Sequence, residues 1–155
     1  MFSIATRGML PCRSRVKIRR GDLSALVAHA RAGHPDEVCG VLLADADAPA
    51  RVAQVVSVAN VSAEPRRHFE IAPADLLRIQ REARADGREI LGYYHSHPGH
   101  HAAPSETDRR LAAEGLSDGV VHLIVGIGAD GEAVSLAWVF RDAALGFEPE
   151  PLEIE

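Results

Sequence analysis

Short runs rich in β-branched residues alternate with segments of helical periodicity along this chain of 155 residues, and this alternation constrains its fold more than any other feature. Read from the N-terminus, the pattern predicts the order β-α-β-β-β-α-β-α-β-β. A chain of this length is close to the commonest size of one compact domain and can bury one hydrophobic core. We therefore predict an α/β fold, a single domain with a mixed β-sheet flanked by helices.

Caps, turns and periodicity set the bounds of the predicted elements. The predicted strands span residues 13–18, 37–44, 52–61, 68–71, 90–97, 120–127 and 133–140. The predicted helices begin at an Asp22 N-cap, at Pro73 and at Ser105, and they end near Gly33, Ala85 and Gly115.

The two ends of the chain differ from its middle. Residues 1–12 lack periodicity and are predicted to be an N-terminal extension, followed by a domain at 13–145 and an acidic C-terminal tail at 146–155. Basic residues are concentrated at 13–20, so the two ends carry opposite charge. Either one end docks a charged partner, or both are solvated surface.

Composition excludes several classes of protein. The net charge of −5 argues against nucleic acid as a partner. No apolar run approaches the roughly 20 residues that span a bilayer, so no membrane association is expected. The first 20 residues lack the apolar stretch of a signal peptide, which predicts a cytoplasmic protein. Cys12 and Cys39 are the only cysteines, too few for a disulfide framework or a cysteine-rich zinc site.

Residues 95–108 carry the chemistry that the sequence makes visible. His95 and His97 alternate along a predicted strand and therefore share a face, with Ser96 opposite. Ser105 and Asp108 lie three residues apart in a first helical turn, on one side of the helix. Two histidines and one aspartate can hold a zinc ion and leave one position for water, and a glutamate can accept that water's proton.

Each part of this pattern also has a structural interpretation. Ser105 and Asp108 fit a helix capping box, and the serine can cap the helix and still face a metal. An isolated His-x-His pair or a glutamate ahead of a strand also occurs without any metal. Cys39 lies in the apolar run that follows Glu37, where it is either a buried thiol or the nucleophile of a cysteine hydrolase.

Taken together, the residues resemble the signature of the JAMM (MPN+) metalloprotease family. The matching positions are Glu37, His95, Ser96, His97, Pro98, Ser105 and Asp108. Asn60 and the stretch 66–71 also resemble the middle of the family's domain, and the resemblance covers roughly residues 13–140. It implies a JAMM/MPN, cytidine-deaminase-like fold, with 13–145 as the catalytic domain.

The resemblance also implies a role for each site residue. His95, His97 and Asp108 would bind one Zn²⁺ that carries a catalytic water, Glu37 would be the general base, and Ser105 would stabilise the oxyanion. The implied reaction is hydrolysis of a peptide or isopeptide bond after the C-terminal Gly-Gly of ubiquitin or a ubiquitin-like protein. We expect the tail of the substrate to bind by strand addition along a sheet edge.

The shortness of the chain narrows the class of partner. It lacks the long insertions of the ubiquitin-specialised members and is similar to compact bacterial and archaeal forms, several of which act on β-grasp sulfur-carrier proteins or on a carrier fused to a partner enzyme. The alternative is a non-catalytic, zinc-stabilised interaction module of the MPN type. The identity of the substrate, the kind of bond and the oligomeric state stay open.

Further residues near the motif have functional and structural interpretations. His100 and His101 either gate the open zinc position, bind a second metal or belong to an exposed loop. Tyr93 shares the face of His95 and either lines a substrate channel or packs in the core. His122, in an apolar strand, is predicted to be a hydrogen-bonded core histidine.

Overall fold

The computed structural model describes residues 15–99, 101–115 and 119–155, so the predicted extension at 1–12 lies outside the described residues. In this part of the chain the elements are β1 (Val16–Ile18), α1 (Arg20–Gly33), β2 (Cys39–Asp45), β3 (Val52–Val58), α2 (Pro73–Ala85), β4 (Arg88–Pro98), α3 (Glu106–Glu114), β5 (Val121–Ile127), β6 (Ala133–Phe140), β7 (Phe147–Glu150) and β8 (Leu152–Ile154). No helix among the described residues is long and apolar enough to cross a membrane.

Six strands form one mixed sheet in the order β3-β2-β4-β5-β6-β7. Strands β4 and β5 run parallel, and the other neighbouring pairs of this sheet are antiparallel. Strands β1 and β8 form a separate parallel pair. The predicted α/β fold with a mixed sheet flanked by helices is therefore confirmed.

Helices cover both faces of the sheet because successive strand side chains alternate between its two sides. On one face, Leu26 and Ala30 of α1 pack with the buried side chains of β5, such as Leu123. On the other face, α2 packs Ile79 and Ala83 against β2. Most outward-facing residues of the helices are polar, with Leu77 of α2 and Leu111 of α3 as exposed exceptions.

Three sequence predictions about secondary structure are wrong. Residues 68–71 form no strand, because the backbone of Glu70 bonds to the Asn60 side chain and to Val61 instead of a neighbouring strand. Strands β7 and β8 are additional, since such short segments show no alternation that a pattern could detect. Helix α1 begins at Arg20, so Asp22 is not the N-cap. It lies in the first turn, where its negative charge interacts favourably with the positive end of the helix dipole.

The oppositely charged ends of the chain lie against each other. Lys17 of β1 is in register with Glu153 of β8, and their charged groups are 3.6 Å apart. Arg51 lies 2.8 Å from Glu155. These pairs are half-exposed and contribute little stability each, about 0–1 kcal/mol. The first neutralises charge of both ends locally, whereas Arg51 lies outside the basic end and neutralises charge of the C-terminal end alone.

Candidate active site

The two histidines of the motif lie at the end of β4, in the middle of the sheet. His95 and His97 are buried on one face, and Ser96 is buried on the other. The Ser96 hydroxyl accepts a hydrogen bond from the Val38 amide at 2.9 Å, and the Ser96 amide donates to the Val38 carbonyl at 3.1 Å. The serine between the histidines therefore ties β4 to the residue that follows Glu37.

His95, His97 and Asp108 converge on one point. The two Nε2 atoms are 3.0 Å apart, and each lies 3.2 Å from Asp108 Oδ2. Four ligands at about 2.0–2.1 Å around a tetrahedral ion would be separated by about 3.3 Å, so this triangle has the size of one face of a zinc site. Three electron-rich atoms this close and this buried repel each other unless a proton or a cation lies between them, so the donor set fits a metal ion.

Asp108 takes part in the helix cap and in this cluster. Its amide donates to Ser105 Oγ at 3.0 Å and its Oδ2 accepts from the Ser105 amide at 2.8 Å, which confirms the predicted capping box. Burial opposes ionisation, but the bonds from His95, His97 and the Ser105 amide outweigh it and hold the pKa of Asp108 well below its usual range. The cap uses only a lone pair of the serine hydroxyl, so its proton can still be donated.

The Nδ1 atoms of the two histidines, which face away from the cluster, differ in their hydrogen bonding. His97 Nδ1 donates to the His101 carbonyl at 2.9 Å, which leaves the lone pair of its Nε2 facing the cluster when the ring is neutral. His95 Nδ1 is buried without a partner among the described residues, and the ring stacks on Phe69 at 4.6 Å between centroids. Burial lowers the pKa of His95, which favours the neutral, metal-binding form.

Glu37 is buried beside the cluster. Its Oε1 lies 4.0 Å from His97 Nε2, and its Oε2 has no partner among the residues that the structure describes. Burial raises its pKa to about 7; Asp108 adds to this rise, while His97 opposes it. A carboxylate in this state exchanges a proton near neutral pH, which is the property required of a general base.

Asn60 fixes the position of Glu37, a role that the sequence did not reveal. Its side-chain amide donates to the Glu37 carbonyl at 2.9 Å and to the His68 carbonyl at 3.2 Å, and its oxygen accepts from the Ser62 and Glu70 amides. Asparagine just after a strand is a common turn residue, and that was the only local signal. Its four hydrogen bonds include partners on segments that only the folded structure brings together, so the sequence pattern could not reveal them.

A mainly apolar groove of about 220 Å³ adjoins Asp108. Its lining residues are Phe69, Glu70, Ile71, Leu76, Tyr93, Asp108, Leu111, Ala112 and His122. Tyr93 lines this groove and also packs against the core cluster between β2 and α2, so both interpretations of it hold. His122 is buried as predicted, with its ring edge-on to Phe147, but the predicted hydrogen bond is not found at its Nε2, which has no partner among the described residues.

Of the remaining candidates, the two that the structure describes, Cys39 and His101, do not join the cluster. Cys39 is fully buried with its Sγ 3.7 Å from the Val58 carbonyl, and burial together with Glu37 raises its pKa to about 12. Its thiol is therefore protonated at neutral pH, which argues against a cysteine hydrolase. The His101 side chain is exposed, whereas Cys12 and His100 lie outside the described residues.

Comparison with protein families decides the identity of the domain. Residues 20–140 match the family of prokaryotic homologs of the JAB domain, Prok-JAB. The chain belongs to this family. The resemblance inferred from the motif is thereby confirmed, and the chain is a JAB-type peptidase or isopeptidase.

Relatives of this JAB-domain chain agree with that assignment. It is 35% identical over 142 residues to the desampylase of Haloferax volcanii, covering 87% of this chain and 98% of that protein. It is 39% identical over 101 residues to the CysO-cysteine peptidase of Mycobacterium tuberculosis, covering 64% and 67% of the two chains. A JAB1/MPN domain protein from Archaeoglobus fulgidus shares the fold, with a TM-score of 0.58 at 23% identity, over 92% of this chain and 99% of that one.

The buried carboxyl of Glu37 predicts a pH-dependent stability of the metal-free JAB domain. Because its pKa rises from 4.5 to about 7 on folding, the folded state binds this proton more tightly. The contribution to stability is complete below the unfolded pKa and is lost as the pH rises through the folded one, a change of about 3 kcal/mol. In chelator-treated protein, Glu37→Gln should therefore unfold at a higher temperature than wild type at about pH 8. Thermal unfolding scans should show this difference disappear towards pH 4; a difference independent of pH would contradict the assignment.

Proposed function

We propose that this chain is a zinc-dependent peptidase that hydrolyses a peptide or isopeptide bond after the C-terminal Gly-Gly of a ubiquitin-like protein of the β-grasp sulfur-carrier type. Residues 13–145 would form its catalytic domain. The observation that carries the proposal is the convergence of His95, His97 and Asp108, with Glu37 buried 4.0 Å from His97. The names of the relatives, a desampylase and a CysO-cysteine peptidase, support this substrate class.

His95, His97 and Asp108 would hold one zinc ion through two neutral imidazole nitrogens and one carboxylate oxygen. When bound, zinc supplies Lewis acidity that makes a water molecule more acidic and polarises the scissile carbonyl. The protein prepares this donor set in advance. The His101 carbonyl selects the tautomer of His97, and the capping box holds the Asp108 carboxylate at the start of α3.

Glu37 would serve as general base and then as general acid. Its carboxylate accepts the proton of the attacking water and delivers it to the leaving nitrogen, whose bond to the carbonyl carbon breaks. The Oε2 atom, which no described residue contacts by a hydrogen bond, provides the acceptor, and the raised pKa of Glu37 makes both transfers accessible near neutral pH. The hydrogen bond from Asn60 to the Glu37 carbonyl restrains the backbone that carries this group.

Ser105 would donate its hydroxyl proton to the oxyanion that develops on the carbonyl oxygen of the substrate. Because Ser105 Oγ accepts the Asp108 amide, the capping bond restrains the oxygen while its proton can still be donated. A preorganised donor of this kind stabilises the transition state more than the ground state.

The segment 69–71 offers an edge to which a substrate tail can bind. The amide and carbonyl of Glu70 bond to Asn60 and Val61 on one side. The backbone groups of Phe69 and Ile71 have no hydrogen-bond partner among the described residues, and alternation along an extended chain turns them to the opposite side. Because β4 is flanked by β2 and β5, this segment rather than an edge strand of the sheet would pair with the tail.

The approach to the cluster favours glycine. Phe69 stacks directly on His95, so a substrate residue at this point has little room for a side chain. The adjoining groove of about 220 Å³ has room for a larger side chain and would take a residue upstream of the two glycines. The proposed site thus combines a narrow end beside His95 with a wider apolar end between α2 and α3.

Mass spectrometry of cleaved carriers tests this function. The substrates are a β-grasp carrier extended past Gly-Gly by one cysteine, the same carrier fused to a partner enzyme, and the carrier linked to a lysine side chain. We expect a product that ends at Gly-Gly from at least one of them, and no product when the last glycine is replaced by valine. Binding of zinc without cleavage of any of the three would instead favour the non-catalytic module.

A further inference from the structure

The orientation of His97 depends on a single loop carbonyl. His97 Nδ1 donates to the His101 carbonyl at 2.9 Å, and this is the only bond outside the cluster that the described structure gives its ring. A histidine that binds metal is oriented by the partner of its other ring nitrogen, so the position of this carbonyl sets the direction of Nε2. Any group that fixes the loop therefore acts on the ligand.

Trp138 holds the neighbouring peptide of that loop. Its Nε1 donates to the Ala102 carbonyl at 2.9 Å, one residue after the carbonyl that binds His97. Trp138 lies on β6, in register with His122 of β5, on the face of the sheet that carries the cluster. Ala102 is buried, so its carbonyl has little access to water that could replace the indole.

The other hydrogen bonds that the structure gives the described residues of this loop fix its ends rather than its middle. The Gly99 amide donates to the Ile127 carbonyl at 2.7 Å, and Arg109 donates to the Pro104 carbonyl at 2.9 Å. Neither hydrogen bond involves the peptide groups on the two sides of Ala102. The indole is thus the side chain placed to restrain the carbonyl that orients His97.

We propose that Trp138 is a positioning residue for the zinc site, acting on His97 through the successive carbonyls of His101 and Ala102. This inference rests on the zinc site of the proposed function. It gives Trp138, which lies outside the motif, a role in zinc affinity.

The first test measures zinc affinity by competition with a chromophoric chelator. Trp138→Phe removes the indole N–H and keeps an aromatic ring, and the zinc dissociation constant should rise about tenfold, within the range typical of outer-shell partners. Phe147→Leu is the matched control, because it also removes aromatic area from this side of the sheet but has no bond to the loop. Its dissociation constant should stay within about twofold of wild type.

A second measurement uses the wild-type protein and does not depend on how well the variant folds. Trp138 is the only tryptophan of the chain, so the tryptophan fluorescence reports the surroundings of this one indole. Zinc titration should change the emission spectrum and saturate at one ion per chain. Equal affinities of wild type and Trp138→Phe, or zinc binding without any change in emission, would overturn the inference. Failure of the wild-type protein to bind zinc would instead refute the proposed function, and the inference with it.

Discussion

Replacing Glu37 with glutamine is expected to reduce turnover by about 10²- to 10⁴-fold while zinc stays bound. Glutamine keeps the size of the side chain but cannot accept the proton of the attacking water. Zinc binding should persist because Glu37 is not one of the three residues whose side chains would bind the ion. Its Oε1 lies 4.0 Å from His97 Nε2. Steady-state cleavage of a Gly-Gly-tailed carrier, together with metal analysis of the same sample, measures both quantities.

Asp36→Asn is the matched control for this variant. It removes the same charge one residue earlier, from a half-exposed side chain whose recorded ion pair is a 4.0 Å contact with Arg66. Turnover by this control should equal that of wild type. If Glu37→Gln kept wild-type turnover, another group would have to be the base, and the proposed mechanism would be wrong.

Replacing Asp108 with asparagine is expected to weaken zinc binding by more than about 100-fold, because loss of a direct ligand costs more than loss of an outer-shell partner. The amide can still accept the bond from the Ser105 amide, so the capping box and α3 should persist. The substitution should therefore reduce the zinc affinity and leave the fold intact. Turnover should decline in parallel with zinc occupancy.

Glu106→Gln separates the role of the ligand from the effect of charge on the helix. Glu106 lies in the same first turn of α3, carries the same charge and is exposed. Its replacement should leave the zinc dissociation constant unchanged. Equal zinc affinity of Asp108→Asn and wild type, measured by the same chelator competition, would remove Asp108 from the metal site.

The convergence of the three proposed ligands follows largely from local patterns. Strand periodicity places His95 and His97 on one face, and the first turn of a helix places Ser105 beside Asp108. Both patterns involve residues close in sequence, so the structure reproduces them. The predicted helix from Pro73 to Ala85 agrees for the same reason.

Long-range pairing determines what the sequence could not predict. Glu37 reaches the cluster because Cys39 pairs with His95 across β2 and β4, and no local pattern reveals this register. The extended segment around Glu70 has the composition of a strand, but its backbone bonds to a side chain from another loop. Trp138 showed no sign of a role, because its partner carbonyl lies 36 residues away.

Removal and return of zinc tests the central claim most directly. The protein is treated with a chelator, assayed by mass spectrometry on a Gly-Gly-tailed carrier, and assayed again after addition of one equivalent of zinc. We expect no product from the metal-free protein and recovery of a product ending at Gly-Gly once zinc is restored. Undiminished cleavage by protein shown to contain no metal would contradict it.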